Sequence, residues 1–169
     1  ESLGVIVDLT HTSEPGFHEV LDRFSGRVHA SHNMCRALVP GDRQFSDEQI
    51  QRLIERDAVI GMACDAWMLQ PGWIIGQTTP EQTPIENVAD HIDHICQLAG
   101  NTRHVGIGSD LDGGFGTDQT PRDLRSIVDL HKLEPILSER GYTDTDIDAI
   151  FFANWLRFFS EALPVNVNA

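Results

Sequence analysis

His11 and His32 each close a short apolar run. The first follows Gly4-Val5-Ile6-Val7-Asp8-Leu9-Thr10 and the second follows Val28-His29-Ala30-Ser31. Runs rich in β-branched residues, bounded by polar ones, read as buried parallel strands. A third run, His104-Val105-Gly106-Ile107-Gly108-Ser109, ends in Asp110. Side chains at the C-terminal ends of parallel strands converge on one mouth, where chemistry is done. Two imidazoles and a carboxylate placed there suit a metal ion. Neutral imidazole is a good zinc ligand, and a carboxylate can bind metal or carry a proton to a leaving amine. A lone histidine is more often a hydrogen-bonded core residue. Recurrence of the pattern in consecutive strand–helix units favours ligands over that reading.

Other residues carry weaker signals. Arg43 lies in Pro40-Gly41-Asp42-Arg43-Gln44, after the second strand. Arginine can grip a carboxylate with two parallel hydrogen bonds, although a loop arginine is usually a surface charge. The glycines after Asp110 permit close approach of a substrate. Asp112 reads as a solvated turn residue beside Gly113. His91 and His94 share a helix face at i,i+3 spacing but flank the apolar stripe of an outer helix, so they read as solvent-facing surface. The long loop containing Trp67, Pro71, Gly72 and Trp73 either shapes a substrate pocket or simply packs. His18, His29, His104 and His131 have no comparable pattern around them.

The elements needed to position these residues alternate. Strands are predicted over Gly4–Leu9, Val28–Ala30, Ala58–Ala63 and His104–Gly108. A first helix is predicted around Pro15–Phe24. Ser46, followed by acidic residues, starts a second, with Ile50, Leu53 and Ile54 as its stripe. A third runs over Ile85–Leu98, where Ile85, Val88, Ile92, Ile95 and Leu98 recur every three or four residues. Three more are predicted over Asp123–Glu139, Asp144–Ala149 and Asn154–Ala162. The fold class is therefore α/β, with a parallel sheet and right-handed crossovers in a single domain over residues 1–169. A closed eightfold barrel takes about 250 residues. Four strands make either half of one or a small open sheet. A half-barrel leaves two unpaired edges, which another half must cover, from a parent chain, a partner or a dimer mate. The opening at Glu1, without an initiator methionine, reads as an interior point of a longer polypeptide.

The formal net charge of −14 argues against a nucleic-acid partner, because no basic cluster could neutralise phosphates. Cys35, Cys64 and Cys96 are odd in number and show no CxxC spacing, so buried thiols in a reducing compartment are expected. No apolar run is long enough for a membrane span. A targeting signal would lie upstream of Glu1.

Taken together, several segments resemble the membrane (renal) dipeptidase family, the M19 peptidases. They are Val7-Asp8-Leu9-Thr10-His11-Thr12-Ser13, Ala30-Ser31-His32-Asn33, Arg43 eleven residues beyond that histidine, and Val105-Gly106-Ile107-Gly108-Ser109-Asp110-Leu111-Asp112-Gly113. The helices Ile85–His94 and Asn154–Arg157 also match, in the right order along nearly the whole chain. The resemblance implies a binuclear zinc hydrolase of dipeptides on a distorted (β/α)8 barrel. It implies that His11 and His32 bind the second zinc, that Arg43 holds the substrate's terminal carboxylate, and that Asp110 transfers protons near the first zinc. In that family a His-x-Asp pair near the N-terminus holds the first zinc, and a glutamate bridges both metals. Neither has a match here, so the chain is expected to be the C-terminal half of a TIM-like metal-dependent hydrolase barrel, needing its N-terminal half, with assembly as a homo-oligomer an open alternative. The family's aromatic residue in the loop after the third strand falls near Met68 and receives no role. Asp65-Ala66-Trp67-Met68 with Pro71-Gly72-Trp73 resembles bacterial members, which together with the absence of a disulfide pattern points to the cytoplasm.

Two other readings compete. One is a non-catalytic half-barrel that serves as a subunit or binding module. The other is a different amidohydrolase-type metal hydrolase acting on a lactam, lactone or ester. Such barrels usually carry a metal-bridging lysine on a mid-barrel strand, whereas Lys132, the sole lysine, falls in a predicted helix.

Overall fold

A computed structural model describes residues 3–163. Four strands form one sheet in sequence order: β1 (Val7–Asp8), β2 (Val28–Asn33), β3 (Ile60–Met62) and β4 (Val105–Ile107). All neighbours are parallel, with Val7 opposite Val28, Ala30 opposite Ile60, and Ile60 opposite Val105. Between them run α1 (Glu14–Arg23), α2 (Asp47–Glu55) and α3 (Glu86–Ala99). The α/β class and the βαβ order are as expected. So are the starts of the first two crossover helices. Ser13 Oγ accepts from the Gly16 N–H, with Pro15 in the first turn of α1. Ser46 and Gln49 form a reciprocal capping box on α2. Gly100, in a left-handed conformation, ends α3.

The core lies between the sheet and these helices. Leu9, Val28, Ala30, Ile60, Met62 and Val105 meet Phe17, Leu53, Val88 and Ile92, all essentially without solvent access. Three strands are shorter than predicted, β1 most of all, whereas β2 runs on from the predicted Val28–Ala30 to Asn33. As an edge strand β1 has a partner on one side only, and Val5 is 55% exposed.

The region after β4 departs further from expectation. The predicted helix Asp123–Glu139 is instead a loop, a 3-10 turn over Ile127–Lys132, and a short α4 (Leu133–Glu139). Pro135 supplies the reason. It has no N–H for the His131 carbonyl, and its ring would clash there in a continuous helix. The last two predicted helices, α5 (Asp144–Asp148) and α6 (Asn154–Ala162), are fused through a π-helical turn at Ala149–Ala153. Helix α6 returns to β4. Asn154 Nδ2 donates to the carbonyls of Thr102 and Val105, and the Trp155 indole N–H donates to that of Ile107 at 3.0 Å.

The reading of His91 and His94 as solvent-facing surface is overturned. His91 is 1% exposed, and its Nδ1 accepts from the Cys35 N–H at 3.0 Å. Burial pushes this imidazole down to about 3, so it is neutral. His94 Nε2 lies 2.7 Å from Asp47 Oδ1. The flank of α3 that carries them packs against the start of α2 and the end of β2, so they tie elements together. Cys35, Cys64 and Cys96 are free and buried. Among the described residues no helix is long and apolar enough to cross a membrane.

Candidate active site

His11 lies three residues beyond β1, in a tight turn. The Thr12 N–H and hydroxyl both donate to the Leu9 carbonyl, the hydroxyl at 2.6 Å. Asp8 Oδ1 accepts from the Thr10 N–H at 2.9 Å. The turn holds His11 at φ 64°, a left-handed conformation costing a non-glycine residue about 1–3 kcal/mol unless its surroundings enforce it. His32 sits near the end of β2. Its N–H donates to Thr10 Oγ1 at 3.2 Å, and its Nδ1 is 2.9 Å from Ser31 Oγ.

The two rings meet edge to face, with Nε2 atoms 3.0 Å apart. Partial desolvation, the Arg43 guanidinium and His32 together lower the basicity of His11, against the opposing pull of Asp110 and Asp8. The neutral ring that a metal requires is thus favoured. Two nitrogens bound to one tetrahedral zinc lie about 3.3 Å apart, given Zn–N bonds near 2.0–2.1 Å. The observed separation is close to that, so the pair fits as two ligands of one ion. Among the described residues no group of three or more His, Cys, Asp or Glu side chains stands ready to hold a metal. The further donors of a catalytic site must be added to this pair.

Asp110 follows β4, also left-handed at φ 57°, and its Oδ2 lies 3.7 Å from His32 Nε2. The space left by Gly113 is filled by this carboxylate: a Cβ there would come within 2.5 Å of Asp110 Oδ1. That glycine therefore makes room for Asp110 itself, where sequence suggested room for a substrate. Arg43 donates from Nη2 to the His32 carbonyl at 3.0 Å and stands 3.5 Å from His11 Nε2. Its Nη1 is buried and has no hydrogen-bond partner among the described residues. Burial lowers the pKa of Arg43, while Asp110, Asp8 and Asp65 act to raise it. A cavity of about 300 Å³ adjoins the cluster, lined in part by His11, Arg43, Asn33, Asp42 and Gln49.

The four residues singled out in sequence, His11, His32, Arg43 and Asp110, therefore meet at the ends of three strands and one loop. Asp112 is an exposed turn residue, as expected. Lys132 pairs with Asp129 on the 3-10 turn and takes no part in the cluster. Asp8, Ser31 and Asp65 were not anticipated. Asp65, 7% exposed, follows β3 and accepts from the Trp67 backbone and indole N–H groups, the latter at 2.7 Å. Burial raises its pKa to about 6, against the Trp67 hydrogen bonds; nearby Asp110 adds to the rise and Arg43 opposes it. The start of the Trp67 loop thus packs at the site, whereas Ile74 and Ile75 farther along are exposed.

Residues 1–168 match the family described as membrane dipeptidase, peptidase family M19. An uncharacterized dipeptidase of Schizosaccharomyces pombe is 32% identical over 155 residues, which cover 92% of this chain and 36% of that protein. Dipeptidase tcpJ of Claviceps purpurea is 30% identical over 166 residues, covering 96% and 36% respectively. Among solved structures, a metallo peptidase from Rhodobacter sphaeroides, liganded with a phosphinate mimic of the dipeptide L-Ala-D-Ala, superposes with a TM-score of 0.84 at 25% identity. The match covers 96% of this chain and 44% of that one. The chain thus spans about a third of the length of these curated relatives.

Proposed function

The chain belongs to the membrane dipeptidase family, peptidase family M19, and from that premise we propose that it supplies His11, His32, Arg43 and Asp110 to a zinc-dependent site that hydrolyses dipeptides. The observation that carries this reading is convergence. Four side chains from three strand ends and a loop lie within reach of one another beside a cavity. His11 and His32 would hold one zinc of a binuclear pair through Nε2. The remaining ligands would come from the additional length that the relatives possess, which would also complete the barrel. Bound zinc acidifies water and polarises a peptide carbonyl. Arg43 would bind the substrate's free carboxylate through Nη1, which has no partner among the described residues. Asp110, beside His32, would pass a proton to the leaving amine.

The test is zinc stoichiometry together with dipeptide hydrolysis on the purified, metal-repleted protein, wild type and Arg43→Ala. Losing a charge-assisted contact worth about 1.5–3 kcal/mol should raise KM roughly 10–100-fold. An unchanged KM in a folded variant would refute the anchoring role. Absence of bound zinc from a polypeptide that carries the complete barrel would refute the metal site.

A further inference from the structure

One oxygen of Asp8 serves both histidines. Oδ1 accepts from the Thr10 N–H at 2.9 Å and from the Ser31 N–H at 3.0 Å. Thr10 and Ser31 immediately precede His11 and His32. A single carboxylate therefore ties the turn after β1 to the end of β2 at the two backbone positions that aim the rings. The Ser31 hydroxyl stands 2.9 Å from His32 Nδ1 and 3.4 Å from Thr10 Oγ1, and the Ser31 side chain is close enough to the Asp8 carboxylate to help hold its pKa down. Ser31 itself cannot drift. Its carbonyl is wedged between Gly61 and Gly108, where added Cβ atoms would come within 2.0 and 1.9 Å of the oxygen.

From this geometry, and resting on the metal reading above, we infer that Asp8 and Ser31 are positioning residues for the histidine pair, forming a carboxylate–hydroxyl–imidazole relay behind His32. With Nε2 turned to a metal, Nδ1 carries the ring proton and donates to Ser31 Oγ. The Ser31 hydroxyl proton is then free to turn toward Asp8. Such partners fix the tautomer and direction of a ligating ring, and losing one commonly weakens metal binding 10–100-fold. Neither residue is assigned contact with substrate. Asp8 Oδ1 is committed to the backbone N–H groups of Thr10 and Ser31.

The experiment is zinc affinity by chelator competition, with the melting temperature of the metal-free protein measured in parallel. The variants are Ser31→Ala, Ser31→Thr, Asp8→Ala and Asp8→Asn. Ser31→Ala should weaken zinc binding roughly 10–100-fold with little change in metal-free melting, and Ser31→Thr should restore it. Asp8→Ala should do the same at some cost in melting temperature. Asp8→Asn keeps an acceptor oxygen for the two backbone N–H groups but loses the charge, so its metal-free form should melt like wild type while zinc binding still falls. Wild-type zinc affinity in both Ser31→Ala and Asp8→Asn would overturn the inference. So would losses in zinc affinity that only track losses in melting temperature. A wild-type polypeptide that carries the complete barrel and still binds no zinc would instead remove the metal reading on which it rests.

Discussion

Gly108→Ala is the sharpest test of how the backbone holds the site. An alanine Cβ at this position would lie 1.9 Å from the Ser31 carbonyl oxygen and 2.9 Å from Gly61 Cα. Contacts below 3.0 Å force something to shift. Here the obstacle is the backbone of β2, reaching across β3, which cannot swing aside as a side-chain tip can. Ser31 must retreat by about 1 Å or more, against the Ser31 N–H bond to Asp8. Overpacking of this kind costs about 1–3 kcal/mol, and the rigid partner argues for the upper end. At about 2–4 °C per kcal/mol for a protein of this size, the melting temperature should fall roughly 6–12 °C. Because His32 moves with Ser31, a displacement near 1 Å should also cost about 100-fold in kcat/KM. The matched control is Gly41→Ala, where a Cβ meets nothing within 4 Å and the effect should be negligible. Thermal melting of the metal-free variants and a dipeptide assay read both quantities. A Gly108→Ala protein that melts with wild type would refute the close packing of β2 against β4 across β3. Normal activity after a large loss of stability would separate the site from the strand that carries it.

Two further expectations concern charge. Asp57, left-handed at φ 50°, receives Arg27, Arg103 and Arg157 at 2.9–3.2 Å. Burial works against its ionisation, but these arginines prevail and hold its carboxyl down at about 2. The stabilisation is present above the ordinary value of 3.8 and is lost as pH falls through 2. Asp57→Asn, which tolerates the left-handed backbone, should cost about 1–2 kcal/mol at pH 7 once one-third exposure is discounted for screening; equal stability of the two proteins in urea at pH 7 would refute it. Asp65 has the opposite sign. Its carboxyl is raised from 3.8 to about 6, so the folded state gains most from it below pH 3.8 and loses that gain as pH rises through 6. The difference amounts to about 3 kcal/mol, and Asp65→Asn should remove this fall between pH 4 and 7 from a urea-unfolding series on the metal-free protein; an unchanged slope would rule it out.

His11, His32 and Asp110 were legible in the sequence because each closes an apolar run, and a strand end is where a barrel presents chemistry. The contacts of Arg43 were not legible, since nothing local distinguishes a loop arginine that turns inward from one in solvent; its role was suggested by family likeness. Asp8 was hidden for a related reason. A carboxylate inside a short strand reads as a solvent-facing interruption, and its use appears only across the 23-residue separation to Ser31. His91 shows where periodicity stops. The stripe of α3 fixes which side faces the sheet, but only the packing of α2 decides whether the flank is covered. The lengths of β1, β3 and β4 were overestimated and that of β2 underestimated, because apolar sequence marks burial, whereas pairing depends on neighbours: β2, with β1 on one side and β3 on the other, continues through polar Ser31, His32 and Asn33.

The strained positions explain why the site is built this way. Among the described residues the non-glycines at positive φ are His11, Asp57 and Asp110, and all three lie in charged or metal-suited clusters. At the ends of β1 and β4 the left-handed conformation breaks the alternation of an extended chain, bringing His11 and Asp110 together over the same mouth. Each such residue costs about 1–3 kcal/mol, a large share of the stability of one domain. The cost is borne because the turns are over-determined: Thr12 and Asp8 grip the first, while the second is closed by the Gly113 N–H on the Asp110 carbonyl at 2.8 Å. The sheet and helices α1–α3 supply the rigid frame, and the strain is confined to residues that face one another. A side chain that only filled space at position 11 or 110 would gain nothing from such a backbone. Under the proposed function, the same backbone sets the two ring nitrogens and the carboxylate around one metal-and-substrate position.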